Sequence, residues 1–327
     1  MNKRTIFQLP AAFALAALPL CAQGGVAGPV SGYAFDRSVS ALRPILGIPG
    51  ASLLGDGLDV GSALAAAYVA PGQNWVLAVT ANGPVFFRLT SGAASPIAVP
   101  GVTVSPERVA FSPSGTAVAL YAAGRIQVVK GLPDAPVVTG ALATAVSGRS
   151  PQASAAGRSR PELGAFAVSD DGSYLLYAHG GSIHLWGASG EDFGVAAADA
   201  DAVLAFAPGG HEAAVADLSG GVALLGDVSG AGGQRALAAA GGIASPVGLA
   251  FSADGGKLFL ADAGTRQVTA FDMAAGSATA IPCDCVPAGL FPMGGLFRLN
   301  DAGAAPLWLL DARSGEARIV FVPSRSE

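Results

Sequence analysis

Five fragments of this chain can be laid over one another: Tyr68-Val-Ala-Pro-Gly72, Phe111-Ser-Pro-Ser-Gly115, Val168-Ser-Asp-Asp-Gly172, Phe206-Ala-Pro-Gly-Gly210 and Phe251-Ser-Ala-Asp-Gly255, each followed by a short apolar run. An apolar strand, a Pro/Asp/Gly turn and a second strand, recurring about every 40 to 50 residues, is the signature of a propeller blade. One such sheet cannot bury its own faces. Stacked around an axis with its neighbours, it can.

The register extends to Leu299-Asn300-Asp301-Ala302-Gly303, which precedes the apolar run Leu307-Trp308-Leu309-Leu310. Turn glycines then stand at 72, 115, 172, 210, 255 and 303, with spacings of 43, 57, 38, 45 and 48, which predicts six blades. Alternation and turn residues divide each unit into four strands: Leu64 to Ala70, Trp75 to Thr80, Val85 to Leu89 and Pro96 to Val99 in the first. The sixth unit lacks an outermost strand. Arg43-Pro-Ile-Leu-Gly-Ile-Pro-Gly50 resembles the outermost strand Ser95-Pro-Ile-Ala-Val-Pro-Gly101, so the N-terminal segment is expected to complete the last blade and close the ring. The expected fold class is thus all-β, a six-bladed β-propeller of four-stranded antiparallel blades closed by the N-terminal strand. Tyr33-Ala-Phe-Asp36 is similar to the third strand Thr269-Ala-Phe-Asp272, which leaves open pairing at the rim or a seventh blade.

Leu258-Phe-Leu-Ala-Asp-Ala-Gly-Thr-Arg-Gln-Val-Thr-Ala-Phe-Asp272 resembles the NHL-type and YVTN-type repeats of bacterial propellers, and Phe251-Ser-Ala-Asp-Gly255 resembles the turn of TolB-like and WD-like repeats. The resemblance implies architecture alone, because propellers host many unrelated functions.

Residues 1 to 23 read as a secretory signal peptide: a basic Asn2-Lys3-Arg4 head, an uncharged stretch from Ile6 to Leu20, and small residues around Ala22 and Gln23, where cleavage is expected. The apolar run is broken by Pro10 and Pro19 and falls short of a membrane span. Residues 24 to 327 are expected to form one propeller domain in a secreted or periplasmic protein, without stable membrane insertion and as a monomer. The formal net charge of −5 falls to −7 without Lys3 and Arg4, and no Lys/Arg cluster is present, which argues against a nucleic-acid partner.

Strands that alternate in direction sort their connections onto two faces. The lower face takes the repeated first-to-second-strand turns, and the upper face takes the second-to-third hairpins and the blade-to-blade loops. On the upper face the loops supply Asp56, Asp59, Glu107, Arg108, Glu162, Asp199, Asp201 and Asp284, and the hairpins supply Asn82, Asp217, Asp262 and Asp311. Asp59, Glu107, Arg108, Glu162 and Asp201 are the candidate ligand-binding residues. The alternative for the hairpin aspartates is structural, each capping its own turn.

His179 and His184 flank a Gly180-Gly181 hairpin and come together only if they share a sheet face, whereas His211 belongs to a lower-face turn. A three-histidine metal centre is therefore not expected, and neither metal nor cofactor is assigned. Cys283 and Cys285 are candidates for a local disulfide, with free thiols, intermolecular pairing and metal binding as alternatives. Residues 140 to 161 form an Ala/Ser/Gly-rich insertion carrying Arg149, Arg158 and Arg160, expected to be an upper-face loop.

No nucleophile elbow, His-Glu-x-x-His pair or phosphate loop occurs. The expected function is a non-enzymatic scaffold binding a protein or envelope ligand through its upper face. The alternative is a lactonase-like hydrolase with a carboxylate-lined, calcium-bearing channel in which Glu107 and Glu162 act as acid and base.

Overall fold

A computed structural model describes residues 28–324 apart from 91, 104, 144–162, 200, 231–232 and 239–241. The signal-peptide residues, Glu162 and Arg149, Arg158 and Arg160 lie outside the described residues. Twenty-seven strands form seven antiparallel sheets, and no α-helix occurs among the described residues. Blade 1 contains β1 Val30–Asp36, β2 Ala41–Ile48 and β3 Ala51–Leu54, and blade 2 contains β4 Leu64–Val69, β5 Trp75–Thr80, β6 Gly83–Thr90 and β7 Ala93–Ile97. Blade 3 follows as β8 Arg108–Phe111, β9 Ala117–Ala122, β10 Arg125–Lys130 and β11 Val137–Ala143, and blade 4 as β12 Phe166–Val168, β13 Tyr174–His179, β14 Ser182–Gly187 and β15 Asp192–Ala197. Blade 5 is β16 Val203–Phe206, β17 Ala213–Asp217, β18 Gly221–Leu225 and β19 Gln234–Ala238. Blade 6 is β20 Pro246–Phe251, β21 Lys257–Asp262, β22 Gln267–Asp272 and β23 Ser277–Pro282, and blade 7 is β24 Phe291–Met293, β25 Leu296–Arg298, β26 Leu307–Asp311 and β27 Arg318–Val322.

The repeated turn has a local cause. In blades 3, 4 and 6 the glycine N–H donates to the carbonyl three residues back, Gly115 to Ser112, Gly172 to Ser169 and Gly255 to Ser252. Those glycines have φ of 77°, 65° and 70°, a conformation that penalises a Cβ. The serine hydroxyl then accepts the N–H that opens the next strand, from Ala117, Tyr174 and Lys257 at 2.9 to 3.0 Å. A Ser-x-x-Gly turn therefore aligns the first two strands before any core forms. Apolar clusters fill each interface between blades, as where Leu176, Ile183 and Leu185 meet Phe206, Val215 and Leu225.

Asp170 links three of these turns. Its carboxylate accepts the N–H and hydroxyl of Ser114 in blade 3 (2.8 and 2.6 Å) and the N–H of Gly209 in blade 5 (2.9 Å).

The expected six-bladed ring closed by the N-terminal strand is corrected to seven blades. Blade 7 draws four strands from residues 291–322 alone, and the strand around Arg43 pairs with β1 and β3 in a sheet of its own. The sequence register misplaced blade 7 because Asn300-Asp301-Ala302-Gly303 imitates the lower turn. The first-to-second turn is Gly294-Gly295, with φ of 60° and 88°, and residues 299–306 form the second-to-third connection. Asp311 consequently stands at a third-to-fourth turn on the lower face rather than in an upper hairpin, where it pairs with Arg313 at 2.9 Å.

Blade 1 has three described strands, and its direction identifies which. Gly32 lies against Met293 and the Tyr33 N–H donates to Gln73 Oε1 (2.8 Å), both on the lower side, while Asp36 bridges to Ala302 and Arg37 pairs with Asp301 (3.2 Å) on the upper side. Strand β1 thus climbs as a second strand does, and the sheet supplies second, third and fourth strands without an innermost one. Across the open position, Gly294 N–H donates to Pro71 O at 2.9 Å, so the lower turns of blades 7 and 2 meet directly.

Candidate functional site

The innermost strands enclose an axial channel of about 630 Å³. Its wall is aromatic and aliphatic: Phe111 from β8, Phe166 from β12, Phe206 from β16, Phe251 from β20, and Phe291 and Phe297 from blade 7, with Ala110, Ala167, Ala205 and Ala250 leaving the space between them. Three of these phenylalanines, Phe111, Phe206 and Phe251, end their first strands at the repeated turn, and each also packs into an interface between blades. Phe291, 42% exposed, has the Arg298 guanidinium over its ring at 4.3 Å. Around the lower mouth stand Ser112, Ser114, Ser252, Asp254 and Arg313. The two charged groups are engaged locally: Asp254 accepts from Ser252 Oγ (2.6 Å) and Gly256 N–H (3.0 Å), and Arg313 grips Asp311 through Nε and Nη2 (2.9 and 3.3 Å).

The upper mouth is a second concavity of about 500 Å³, lined by Arg108, Leu163, Asp201, Leu218 and Ser245 among others. Arg108 and Asp201, both sequence candidates, come together there. Arg108 spans from blade 3 to blade 4, donating to Leu163 O (2.8 Å) and Gly164 O (2.7 Å) with its guanidinium 4.9 Å from the Phe166 ring centre. Glu107 is turned to a structural task, its Oε1 accepting the Ala123 N–H (3.1 Å) where Ala123 has φ of 49°. Asp59 accepts the Gly61 N–H (2.8 Å) within its own loop. Neither Glu107 nor Asp59 lines the mouth. Among the described residues no three His, Cys, Asp or Glu side chains form a group able to hold a metal ion.

The hairpin aspartates of blades 5 and 6 are buried and face backbone. Asp217 accepts the N–H groups of Asp199 (3.1 Å) and Gly220, and Asp262 accepts those of Ala244 (2.8 Å), Ser245 (3.1 Å) and Thr265 (2.9 Å). Each joins its own turn to the loop arriving from the previous blade and so shapes the upper rim. Burial pushes the Asp262 carboxyl up, but the N–H groups of Ala244, Thr265, Ser245 and Gly264 outweigh it and hold the group below the usual carboxylate range. Its contribution is therefore present above the unfolded-state value of about 3.9 and lost as pH falls through the lower folded-state value. Asp262→Asn should cost about 1.5–3 kcal/mol at pH 7. The deficit should shrink toward pH 3, as read by urea titrations at several pH values; a deficit independent of pH would count against this role.

Cys283 and Cys285 are joined in a disulfide, Cα atoms 5.0 Å apart, and pack between blades 6 and 7 with Phe259, Leu290 and Phe297. The channel wall is what sequence reasoning missed, although the signal was present: a phenylalanine stands immediately before three of the five repeated turns.

The fold recurs in other proteins. The chain aligns with a functionally unknown protein from Desulfotomaculum acetoxidans (12% identity, 90% of this chain and 100% of that one, TM-score 0.55). It aligns also with a periplasmic gluconolactonase from Pseudomonas aeruginosa (19%, 90% and 96%, TM-score 0.57) and with Chaetomium thermophilum Sqt1 bound to the N-terminus of the ribosomal protein L10 (14%, 88% and 82%, TM-score 0.50). No protein-family model and no curated protein matches the chain. The chain is a seven-bladed β-propeller, with lactonase-like propellers among its structural neighbours. At these identities the likeness carries the architecture alone.

Proposed function

We propose that this chain is an exported, non-enzymatic binding propeller that takes the apolar body of a small ligand, or of a partner's side chain, into the axial channel, with Arg108 and Asp201 at the upper rim meeting its polar part. The observation that carries the reading is the channel wall: six phenylalanines around about 630 Å³, within the roughly 300–1,000 Å³ usual for ligand sites. The two ionisable groups of its described lining, Asp254 and Arg313, are already held by neighbours, so the cavity favours a neutral apolar occupant. Export rests on the leader-like residues 1 to 23. The name of the Pseudomonas neighbour makes lactone hydrolysis the rival reading.

The test uses N-phenyl-1-naphthylamine, a neutral aromatic dye, titrated into the full chain. Binding should weaken at least about tenfold in Ala110→Trp, which fills the channel, and measurably in Phe291→Ser, which removes an exposed wall ring. Phe193→Ala, an exposed ring on the outer strand of blade 4, should leave it unchanged. Equal binding by all three variants would overturn the channel assignment. Hydrolysis of D-glucono-1,5-lactone above the buffer rate would overturn the non-enzymatic reading.

A further inference from the structure

The upper end of blade 4 carries a side-chain cluster used neither by the channel nor by ring closure. Strands β13 and β14 pair with Tyr177 opposite His184 and His179 opposite Ser182. Residues two apart on a strand share a face, and so do directly paired residues, so Tyr177, His179 and His184 emerge together. The sheet-face condition that the sequence left open for the two histidines is met. Their ring centres lie 6.3 Å apart at 67°, and the His184 ring stacks on Tyr177 at 5.1 Å.

Asp192, on neighbouring β15, organises the group. Its Oδ2 accepts the Tyr177 hydroxyl at 2.7 Å, and its Oδ1 lies 3.5 Å from His184 Nδ1. A carboxylate on one imidazole nitrogen favours the tautomer with hydrogen at Nδ1 and a lone pair at Nε2, which is how metal-ligating histidines are oriented. Tyr177 is 6% exposed beneath, while both histidines are only half-buried and reachable from solvent.

We propose that His179 and His184 form a two-imidazole site for a transition-metal dication, Cu(II), Ni(II) or Zn(II), with Asp192 as a positioning residue and water completing the coordination. Imidazole pairs select these ions over Mg²⁺ and Ca²⁺, which prefer oxygen donors. With metal–nitrogen bonds of about 2.0–2.1 Å and ligand angles of about 90–110°, two bridged imidazole centres lie about 4.5–5.2 Å apart. Binding therefore requires His179, at the end of its strand beside the Gly180-Gly181 turn, to turn toward His184 so that the ring centres close by about 1–2 Å from the observed 6.3 Å. With two protein ligands the ion is held exchangeably, unlike the closed four-ligand sites of structural zinc.

The test is calorimetric titration of the full chain with NiCl₂ and ZnCl₂, alongside Cu(II)-induced broadening of amide resonances. One saturable equivalent is expected, with broadening around residues 177–184 and 192–194. His179→Gln and His184→Gln should each weaken binding at least about tenfold, and Asp192→Asn about 10–100-fold. His211→Gln, at a lower-face histidine, should leave it unchanged, and melting curves confirm that each variant is folded. Undiminished affinity in both His179→Gln and His184→Gln, equal loss in His211→Gln, or MgCl₂ binding as tightly as NiCl₂ would overturn the site.

Discussion

Replacing Trp75 with alanine should lower the unfolding free energy by about 3–5 kcal/mol, the range for deleting a large buried aromatic side chain. Trp75 is fully buried at the start of β5, stacked on Phe86 at 5.8 Å and edge-on to Phe111 at 5.3 Å, in the cluster that joins blades 2 and 3. Its Nε1–H donates to Gly115 O at 2.8 Å, which ties the second strand of one blade to the lower turn of the next. That glycine cannot shift cheaply, because its φ of 77° and its packing on Ala70 and Pro71 fix the turn. The alanine variant therefore leaves both a void and an unpaired carbonyl. Trp75→Phe keeps most of the volume and loses the hydrogen bond, for about 1–2 kcal/mol. Because Phe111 is also a channel wall, the alanine variant should bind the naphthylamine dye more weakly. Trp308→Ala, at a partly buried ring packed on Phe321 and against the cluster between blades 6 and 7, is the contrast and should cost clearly less. Guanidinium titrations measure all three, and comparable costs for Trp75→Ala and Trp308→Ala would remove Trp75 from the inter-blade role.

The sequence marks blades through a turn whose chemistry is local, so five copies are legible wherever a first strand runs into a second. Blade 1 escapes because it has no innermost strand among the described residues, hence no such turn to recognise. What identifies it is long-range: Gln73, at φ of 56°, reaches out of blade 2 to the Tyr33 N–H while its amide nitrogen donates to Ala70 O. No spacing rule encodes that contact. Blade 7 was misregistered for the opposite reason, since the loop around Asn300 has the composition of a turn while Gly294-Gly295 performs it. The same distinction governs the site. Arg108, which opens β8, and Asp201, in the loop between blades 4 and 5, reach the upper mouth because their place at the upper end of the blades follows from topology, whereas Glu107 and Asp59 occupy blade-to-blade loops yet bend toward nearby N–H groups. Loop position is legible; the direction of one carboxylate depends on which donor lies within about 3 Å.

Arg43→Ala should destabilise the ring by about 3–5 kcal/mol, because it strands a buried carboxylate. Arg43 Nη1 meets Asp36 Oδ2 at 2.8 Å, with side chains 9% and 2% exposed, and the same guanidinium donates through Nε to Gly55 O (2.7 Å) and through Nη2 to Leu54 O (3.2 Å). One side chain on β2 thereby clamps the upper ends of β1 and β3. Blade 1 depends on this clamp more than a four-stranded blade would, since its inner edge rests on Gln73 and on the bridge from Asp36 to Ala302. Arg43→Lys should rescue little, as a point charge cannot serve three acceptors in a planar fork. Asp36→Ala removes the matching charge and also the acceptor for Ser38 N–H and Oγ (3.0 and 2.6 Å), so its cost includes the turn after β1. The double variant should cost clearly less than the two singles together, with a coupling of about 1–3 kcal/mol. High salt should leave that coupling nearly intact, because a buried pair is poorly screened. Native-state hydrogen exchange locates the damage: in Arg43→Ala, protection should fall first at β1–β3 and across their interface with blade 7, where Ala34, Ile45 and Leu54 pack on Leu296, Leu309 and Val322. If protection there matched the wild type while the far blades lost theirs, ring closure would not depend on this clamp.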